Sequence, residues 1–279
     1  MNTSALGGAR SLLFVPGHRP ERFGKALATE AGGVILDLED AVALQDKAAA
    51  REHVQVFVQQ VGPTQRARLL VRINPVESPE HTGDLQALRA LRDQPLGGVV
   101  LPKASDANTL ASVAEAAGPG VALLPLIESA EGWAQANALA RAPGVLRLVF
   151  GHLDFQVDMG MAADEAQTEL MPVRLALVAA SRRAGLAPPV DGVTPDVGNA
   201  VACDTDTRRA QRLGFGGKLC IHPSQVALVH AAFAPSAAER DWAQRVLAAN
   251  DTAQGAVFQF EGRMVDAPVL ARARRLLLP

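Results

Sequence analysis

Eight short apolar runs, separated by stretches of helical character, restrict this chain more than any other feature. They read SLLFVPG (11–17), GVILDLED (33–40), RLLVRIN (68–74), GGVVLPK (97–103), ALLPLIE (122–128), RLVFGHLDF (147–155), PPVDGVT (188–194) and GKLCIHP (217–223). Near-continuous apolarity suits parallel strands covered on both faces, whereas a strand with one wet face alternates. PPVDGVT is the weakest of the eight. Between the runs lie Ala- and Leu-rich segments such as PERFGKALATEA, TGDLQALRALRDQ, DANTLASVAEAAG and DEAQTELMPVRLALVAASRRAG. The last has the apolar spacing of an amphipathic helix, with Gly185 as its C-cap. Strand and helix alternating eight times predict an α/β fold, a (β/α)8 TIM barrel. A doubly wound open sheet is the competing plan, but no GxGxxG follows an early strand, and GFGGK lacks phosphate-loop spacing.

The barrel is expected to occupy residues 1–224. Residues 225–279 are expected to form a C-terminal helical extension that packs on the barrel or on a neighbouring subunit. That tail holds a helical stretch (SAAERDWAQRVLAAND), an extended piece turning at Glu261 and Gly262 (GAVFQFEGRMVDAP) and a final helix (VLARARRLLL).

The chain has 279 residues and 48% hydrophobic composition, enough for one barrel of about 250 residues with an extension. A net charge of −2 gives no support to nucleic-acid or membrane-surface binding. Arg272, Arg274 and Arg275 read as a solvated helix face. Cys203 and Cys220 are far apart with no CxxC spacing, which argues against a disulfide framework or a zinc site and for a reducing compartment. The opening MNTSALGGARS lacks a charged segment followed by an apolar one, so no signal peptide is expected. No apolar run approaches the roughly 20 residues needed to span a bilayer. A cytoplasmic protein is expected.

In a parallel barrel the C-terminal strand ends carry the active site, and here those ends collect the charge. Strand two ends in Asp37, Glu39 and Asp40, strand three in Arg72 and Asn74, strand four in Lys103, strand five in Glu128 and strand six in Asp154. Strand seven carries Asp191 and strand eight ends in His222. The N-terminal strand ends carry far less. Alternation places Ile35, Asp37 and Glu39 on the inner face, with Val34, Leu36 and Leu38 toward the helices. Glu128 and Asp154, two hard carboxylates with no Cys or paired His beside them, suit Mg2+ rather than Zn2+. The competing reading is that each caps the helix that follows. Arg72 suits bidentate binding of a substrate carboxylate or thioester oxygen, a structural ion pair with Asp37 or Glu39, or both. Lys103 offers a rival Schiff-base chemistry, but pairing with an acid is favoured. His222, before Pro223 and Ser224, reads as a hydrogen-bonded turn residue. His18, with Arg19 and Arg22, either meets an anionic substrate or faces solvent.

RSLLFVPG, GVILDLEDAV, VRIN, LPLIESAEG, VFGHLDF, GKLCIHPSQV and GRMVDAP stand in order with similar spacing from about residue 10 to the C-terminus. Together they resemble the citrate lyase beta-subunit-like branch of the HpcH/HpaI aldolase superfamily. The resemblance implies a Mg2+-dependent barrel, a homotrimer or a multiple of it, that cleaves or forms carbon–carbon bonds in 3-hydroxyacyl thioesters. Carried over, Glu128 and Asp154 are the Mg2+ ligands, Glu128 also touching substrate. Arg72 contacts the keto acid and the reacting oxygens. Asp266, in MVDAP, corresponds to an acid supplied from a neighbouring subunit, and Asp37 and Asp40 to the acidic cluster of strand two. Related aldolases carry a His where this chain has Asp40. The implied reaction is cleavage of a 3-hydroxyacyl-CoA such as citramalyl-CoA or malyl-CoA into acetyl-CoA and a 2-keto acid, or its reverse. The implied partners are an acyl-CoA thioester and a 2-keto acid (pyruvate, oxaloacetate or glyoxylate). A citrate lyase beta subunit acting on an acyl-carrier-protein thioester, a malate-synthase-like condensing enzyme and a noncatalytic keto-acid-binding subunit are the alternatives.

Overall fold

The structure, a computed structural model, describes residues 3–252 and 257–277. Residues 1–2, 253–256 and 278–279, which include parts of MNTSALGGARS, GAVFQFEGRMVDAP and VLARARRLLL, lie outside it. The chain divides into two compact units, residues 1–233 and 234–279.

The first unit is a closed parallel barrel of eight strands in sequential order. They are β1 (Ser11–Pro16), β2 (Gly33–Asp37), β3 (Leu69–Arg72), β4 (Gly98–Leu101), β5 (Ala122–Ile127), β6 (Val149–Phe150), β7 (Val190–Asp191) and β8 (Gly217–Cys220). All eight apolar runs therefore supply strands, and PPVDGVT supplies only two residues of one. Pairing of β1 with β8, Leu12 opposite Leu219, closes the ring. The interior is filled by Leu12, Ile35, Leu70, Val100, Leu124 and Val149 with their neighbours. Val34, Leu36 and Leu38 pack instead in the layer between strands and helices, so the alternation read in strand two holds.

Helix ends follow local chemistry. Asp106 and Ser129 cap the helices Ala107–Ala117 and Ala130–Leu139 by accepting from Thr109 N and Gly132 N, each satisfying an orphan donor of the first turn. The helix Met171–Arg183 ends at Gly185, φ 71°. There Leu186 N donates to Ser181 O and Gly185 N to Arg182 O, the paired bonds of a Schellman motif. The helix Pro223–Phe233 belongs to this unit and packs in its core through Val226 and Val229.

The second unit has its own small core of Ala243, Val246, Val265, Leu270 and Ala273. It comprises the helix Ala237–Thr252, a hairpin of β9 (Phe258–Phe260) and β10 (Arg263–Val265), and the helix Ala267–Leu276. Glu261 and Gly262 both have positive φ, 51° and 74°, as a type I′ turn requires. Arg272, Arg274 and Arg275 are exposed, as expected. No helix among the described residues is long and apolar enough to cross a membrane.

The N-terminal strand ends hold a charge that the sequence reading passed over. Arg147 is fully buried. It donates to Ala9 O at 2.7 Å, Leu6 O at 3.0 Å and Pro188 O at 2.7 Å. Burial pushes its pKa down to about 10, and the carbonyls take the place of a counter-ion. Arg147→Met keeps most of the volume but strips donors from these carbonyls. It is expected to lower the unfolding free energy by roughly 3 kcal/mol or more, measured as a shift of the denaturant midpoint.

Candidate active site

Parallel register sets Asp37 directly opposite Arg72 at the C-terminal ends of β2 and β3. Arg72 donates from Nε to Asp37 Oδ1 and from Nη2 to Oδ2, both at 2.6 Å, a bidentate fork that fixes the guanidinium plane. The same carboxylate accepts from Glu39 N at 3.0 Å and Ala41 N at 3.2 Å, folding the turn beyond β2 around itself. Arg72 Nη1 lies 2.6 Å from Glu39 Oε2, an ion contact without hydrogen-bond alignment, and 3.8 Å from Asp40. The Phe14 ring lies 4.8 Å from the guanidinium carbon. Burial alone would lower the Arg72 pKa, but Asp37, Glu39 and Asp40 outweigh it and hold the group more firmly charged than usual.

A second tier supports this pair. Lys47 Nζ donates to Leu38 O, Glu39 O and Asn74 Oδ1, and Asn74 Nδ2 donates to Leu38 O and Asp84 Oδ2. Arg51 then bonds Asp84. Asn74 thus anchors the strand ends from behind.

Glu128 follows β5 and is buried. Lys103, in the left-handed region at φ 49°, turns its backbone N–H onto Glu128 Oε1 at 2.8 Å. Gly151 makes room for the carboxylate: a Cβ there would lie 2.5 Å from Glu128 Oε2 and 2.7 Å from its Cβ. Burial, then Glu39, then Asp154 push the Glu128 pKa up to about 8, against the Lys103 N–H. Burial likewise raises Glu39 to about 7, with Arg72 opposing and Asp40 and Asp37 adding.

A cavity of about 370 Å³ opens over these groups, lined among others by Asp37, Asp40, Arg72, Glu128, His152 and Asp154. Asp154 is an exposed residue in the first turn of the helix His152–Asp158, so the reading of it as a strand end is corrected: β6 stops at Phe150. Neither acid caps a helix, since Ser129 and Gly151 hold those positions. Asp40 stands at the rim with its side chain 62% exposed. Lys103 is half exposed, its Nζ 4.0 Å from Glu39, and lacks the burial that a Schiff-base lysine uses. His222 accepts from Ser224 N at 3.2 Å through Nδ1, in the turn before the last barrel helix. Asp191 does not join the site. It faces the helix layer, where Arg174 Nε meets it at 3.0 Å. Burial would raise its pKa, but Arg174 and the buried Lys218 hold it below the usual range. Asp266 lies in the second unit as N-cap of Ala267–Leu276, accepting from Val269 N at 3.3 Å.

Phe14 and His152, which both line the cavity, escaped the sequence reading. Phe14 carries no signal beyond an apolar strand. His152 was visible in VFGHLDF but sat between stronger candidates. It is buried, Nδ1 has no hydrogen-bond partner, and burial lowers its pKa to about 4.

The donors fit a hard divalent cation. Glu128 and Asp154 supply only oxygen, and a buried carboxylate with a raised pKa sits in a negative field that a cation relieves. Among the described residues no group of three or more His, Cys, Asp or Glu gathers as a metal cluster. Mg2+ commonly takes one or two carboxylates and completes its octahedron with water and substrate.

A parallel barrel whose acids and guanidinium converge at the C-terminal strand ends has the plan on which barrel enzymes are built. The chain belongs to the HpcH/HpaI aldolase/citrate lyase family, whose model matches residues 10–223. It is 38% identical over 283 residues to a citrate lyase subunit beta-like protein of Mycobacterium tuberculosis, covering 99% of this chain and 97% of that one. It is 31% identical to a (3S)-malyl-CoA thioesterase of Cereibacter sphaeroides, covering 96% and 93%. The crystal structure of protein CitE from Mycobacterium tuberculosis, in complex with magnesium, acetoacetate and coenzyme A, superposes with a TM-score of 0.84 at 34% identity. That match covers 97% of this chain and 98% of the other.

The raised carboxyls imply a pH dependence. The folded state keeps protons on Glu39 and Glu128 over an interval in which the unfolded chain has released them. Stability therefore falls as pH rises from the ordinary carboxylate range to about 8. In chelator, the unfolding midpoint of Glu128→Gln is expected to fall less steeply than wild type between about pH 5 and 8, by thermal melts across that range.

Proposed function

We propose that the chain is a Mg2+-dependent carbon–carbon lyase for a 3-hydroxyacyl-CoA thioester, citramalyl-CoA or malyl-CoA. The products are acetyl-CoA and a 2-keto acid such as pyruvate or glyoxylate. The observation that carries this reading is the single cavity shared by an Asp37-clamped Arg72 and by the carboxylates Glu128 and Asp154. Magnesium in the complexed relative and the thioester named for the Cereibacter relative support it.

Glu128 and Asp154 would hold the Mg2+, which supplies Lewis-acid polarisation of the substrate oxygens when bound. Arg72 has N–H groups left after its bonds to Asp37. Turned into the cavity, they bind the substrate carboxylate and the oxygen on which charge develops, and Asp37 keeps them from swinging. Asp40, the exposed carboxylate at the rim, takes the hydroxyl proton. The electrons of the breaking C–C bond pass into the thioester enolate, and Asp266 of a neighbouring protomer protonates its carbon. That role requires an assembly, for which the family pattern implies a homotrimer.

A panel of acyl-CoA thioesters incubated with Mg2+, followed for keto acid and free thiol, tests the proposal. Keto acid without free thiol is expected. Free thiol without keto acid makes the chain a thioesterase, and neither product leaves a binding role. Glu128→Ala should abolish Mg2+-dependent turnover with the fold intact by circular dichroism, and full activity in that variant would overturn the metal assignment.

A further inference from the structure

His152 opens the helix that follows β6, and its ring lies between Phe150 and Gly192. Phe150 stands 6.2 Å away with its ring tilted by 52°. The absent side chain of Gly192 leaves the space the imidazole occupies, since a Cβ there would lie 2.1 Å from Nδ1. Around it in the helix layer stand the charges of Asp191, Lys218, Arg174 and Asp206, and Lys218 donates to Gly192 O at 2.6 Å. That bond pins the loop against which the ring rests.

The contact with Gly192 also selects the tautomer. A Cα–H bond of glycine points along the direction a Cβ would take. Nδ1 therefore faces a hydrogen, and its lone pair accommodates that contact whereas an N–H would collide with it. The proton belongs on Nε2. Neither ring nitrogen hydrogen-bonds another described residue. Nδ1 is fully buried, Nε2 is not, and His152 lines the cavity. The Nε2–H therefore has no partner among the described residues, and a donor of this kind at a cavity wall is satisfied by water or by a ligand.

What that partner is follows from the lining. Beyond Glu128 and Asp154, the residues contributed from β5 to β8 are apolar except for His152. In a 3-hydroxyacyl thioester, the carboxylate and hydroxyl belong with Arg72 and the two acids. Past the breaking bond, the next polar atom along the molecule is the thioester carbonyl oxygen.

We propose that His152 is a catalytic residue whose Nε2–H donates to the thioester carbonyl and stabilises the enolate oxygen as the C–C bond breaks. This rests on the lyase reading above. His152 transfers no proton: the hydroxyl proton goes to Asp40, the bond electrons go to the enolate, and the imidazole stays neutral throughout. A neutral imidazole polarising a carbonyl in a dry site is an established catalytic device.

The test compares wild type with His152→Leu and His152→Phe, which lack the donor, and with His152→Gln, which keeps one. The donorless variants are expected to lose about 10²–10³-fold in kcat, with KM little changed and an unfolding midpoint equal to or above wild type. His152→Gln should recover most of the rate. The carbonyl stretch of ¹³C-labelled acetyl-CoA bound with Mg2+ should lie at lower frequency in wild type than in either donorless variant. If one donorless variant fails to fold, the other carries the comparison. Wild-type kcat in a donorless variant, or identical carbonyl frequencies, would overturn the assignment. A wild-type chain that cleaves no thioester sinks the lyase reading, and the infrared comparison then decides His152 alone. Acetyl-CoA that fails to bind wild type sinks both.

Discussion

The mouth of the barrel depends on one ion pair, Asp37 with Arg72. Each partner is buried or nearly so, and breaking a buried pair by removing one member costs about 3–5 kcal/mol because the other charge is stranded. The pair also organises what lies beyond it. Two further bonds to the Asp37 carboxylate fold the turn that carries Glu39 and Asp40, so the position of every acid on that wall follows from a contact between strands. Lys47, Asn74 and Asp84 brace the same turn from the helix side. The guanidinium is thereby fixed in plane before any substrate arrives, which is the preorganisation that electrostatic catalysis uses.

The molecule handles buried charge in two ways. In the helix layer, the cations Arg174 and Lys218 hold Asp191 ionised. At the mouth, burial first and the neighbouring acids second drive Glu39 and Glu128 toward protonation. Carboxyls held toward protonation are unfavourable for the fold alone, and their gathering at the mouth makes it a candidate site for a cation.

Much of the fold was legible in the sequence because a buried parallel strand writes its burial into consecutive residues. The inward face of β2 was legible too, because that strand is long enough for alternation to set its parity. Asp191 was grouped with the strand-end charges yet faces the helix layer, because a two-residue strand carries no parity to read, and Asp154 was drawn onto a strand that Gly151 had already ended. Arg72 and Glu128 stood out as charges closing apolar runs. Arg147 and His152 did not, because what makes each of them notable lies elsewhere in the chain: the carbonyls of Leu6 and Ala9 for one, the bare Cα of Gly192 for the other.

Arg147 also bears on how the ring is assembled. Its guanidinium joins carbonyls near the start of the chain to those just before β7, spanning sequence separations of up to 141 residues. Contacts of such separation carry a large loop-closure cost and form late in folding. The N-terminal segment and β1, whose outer edge awaits β8, thus stay unsealed until nearly the whole barrel has emerged. On a ribosome this interval is the one in which an open strand edge needs protection, and the arginine at the base acts as the latch that ends it.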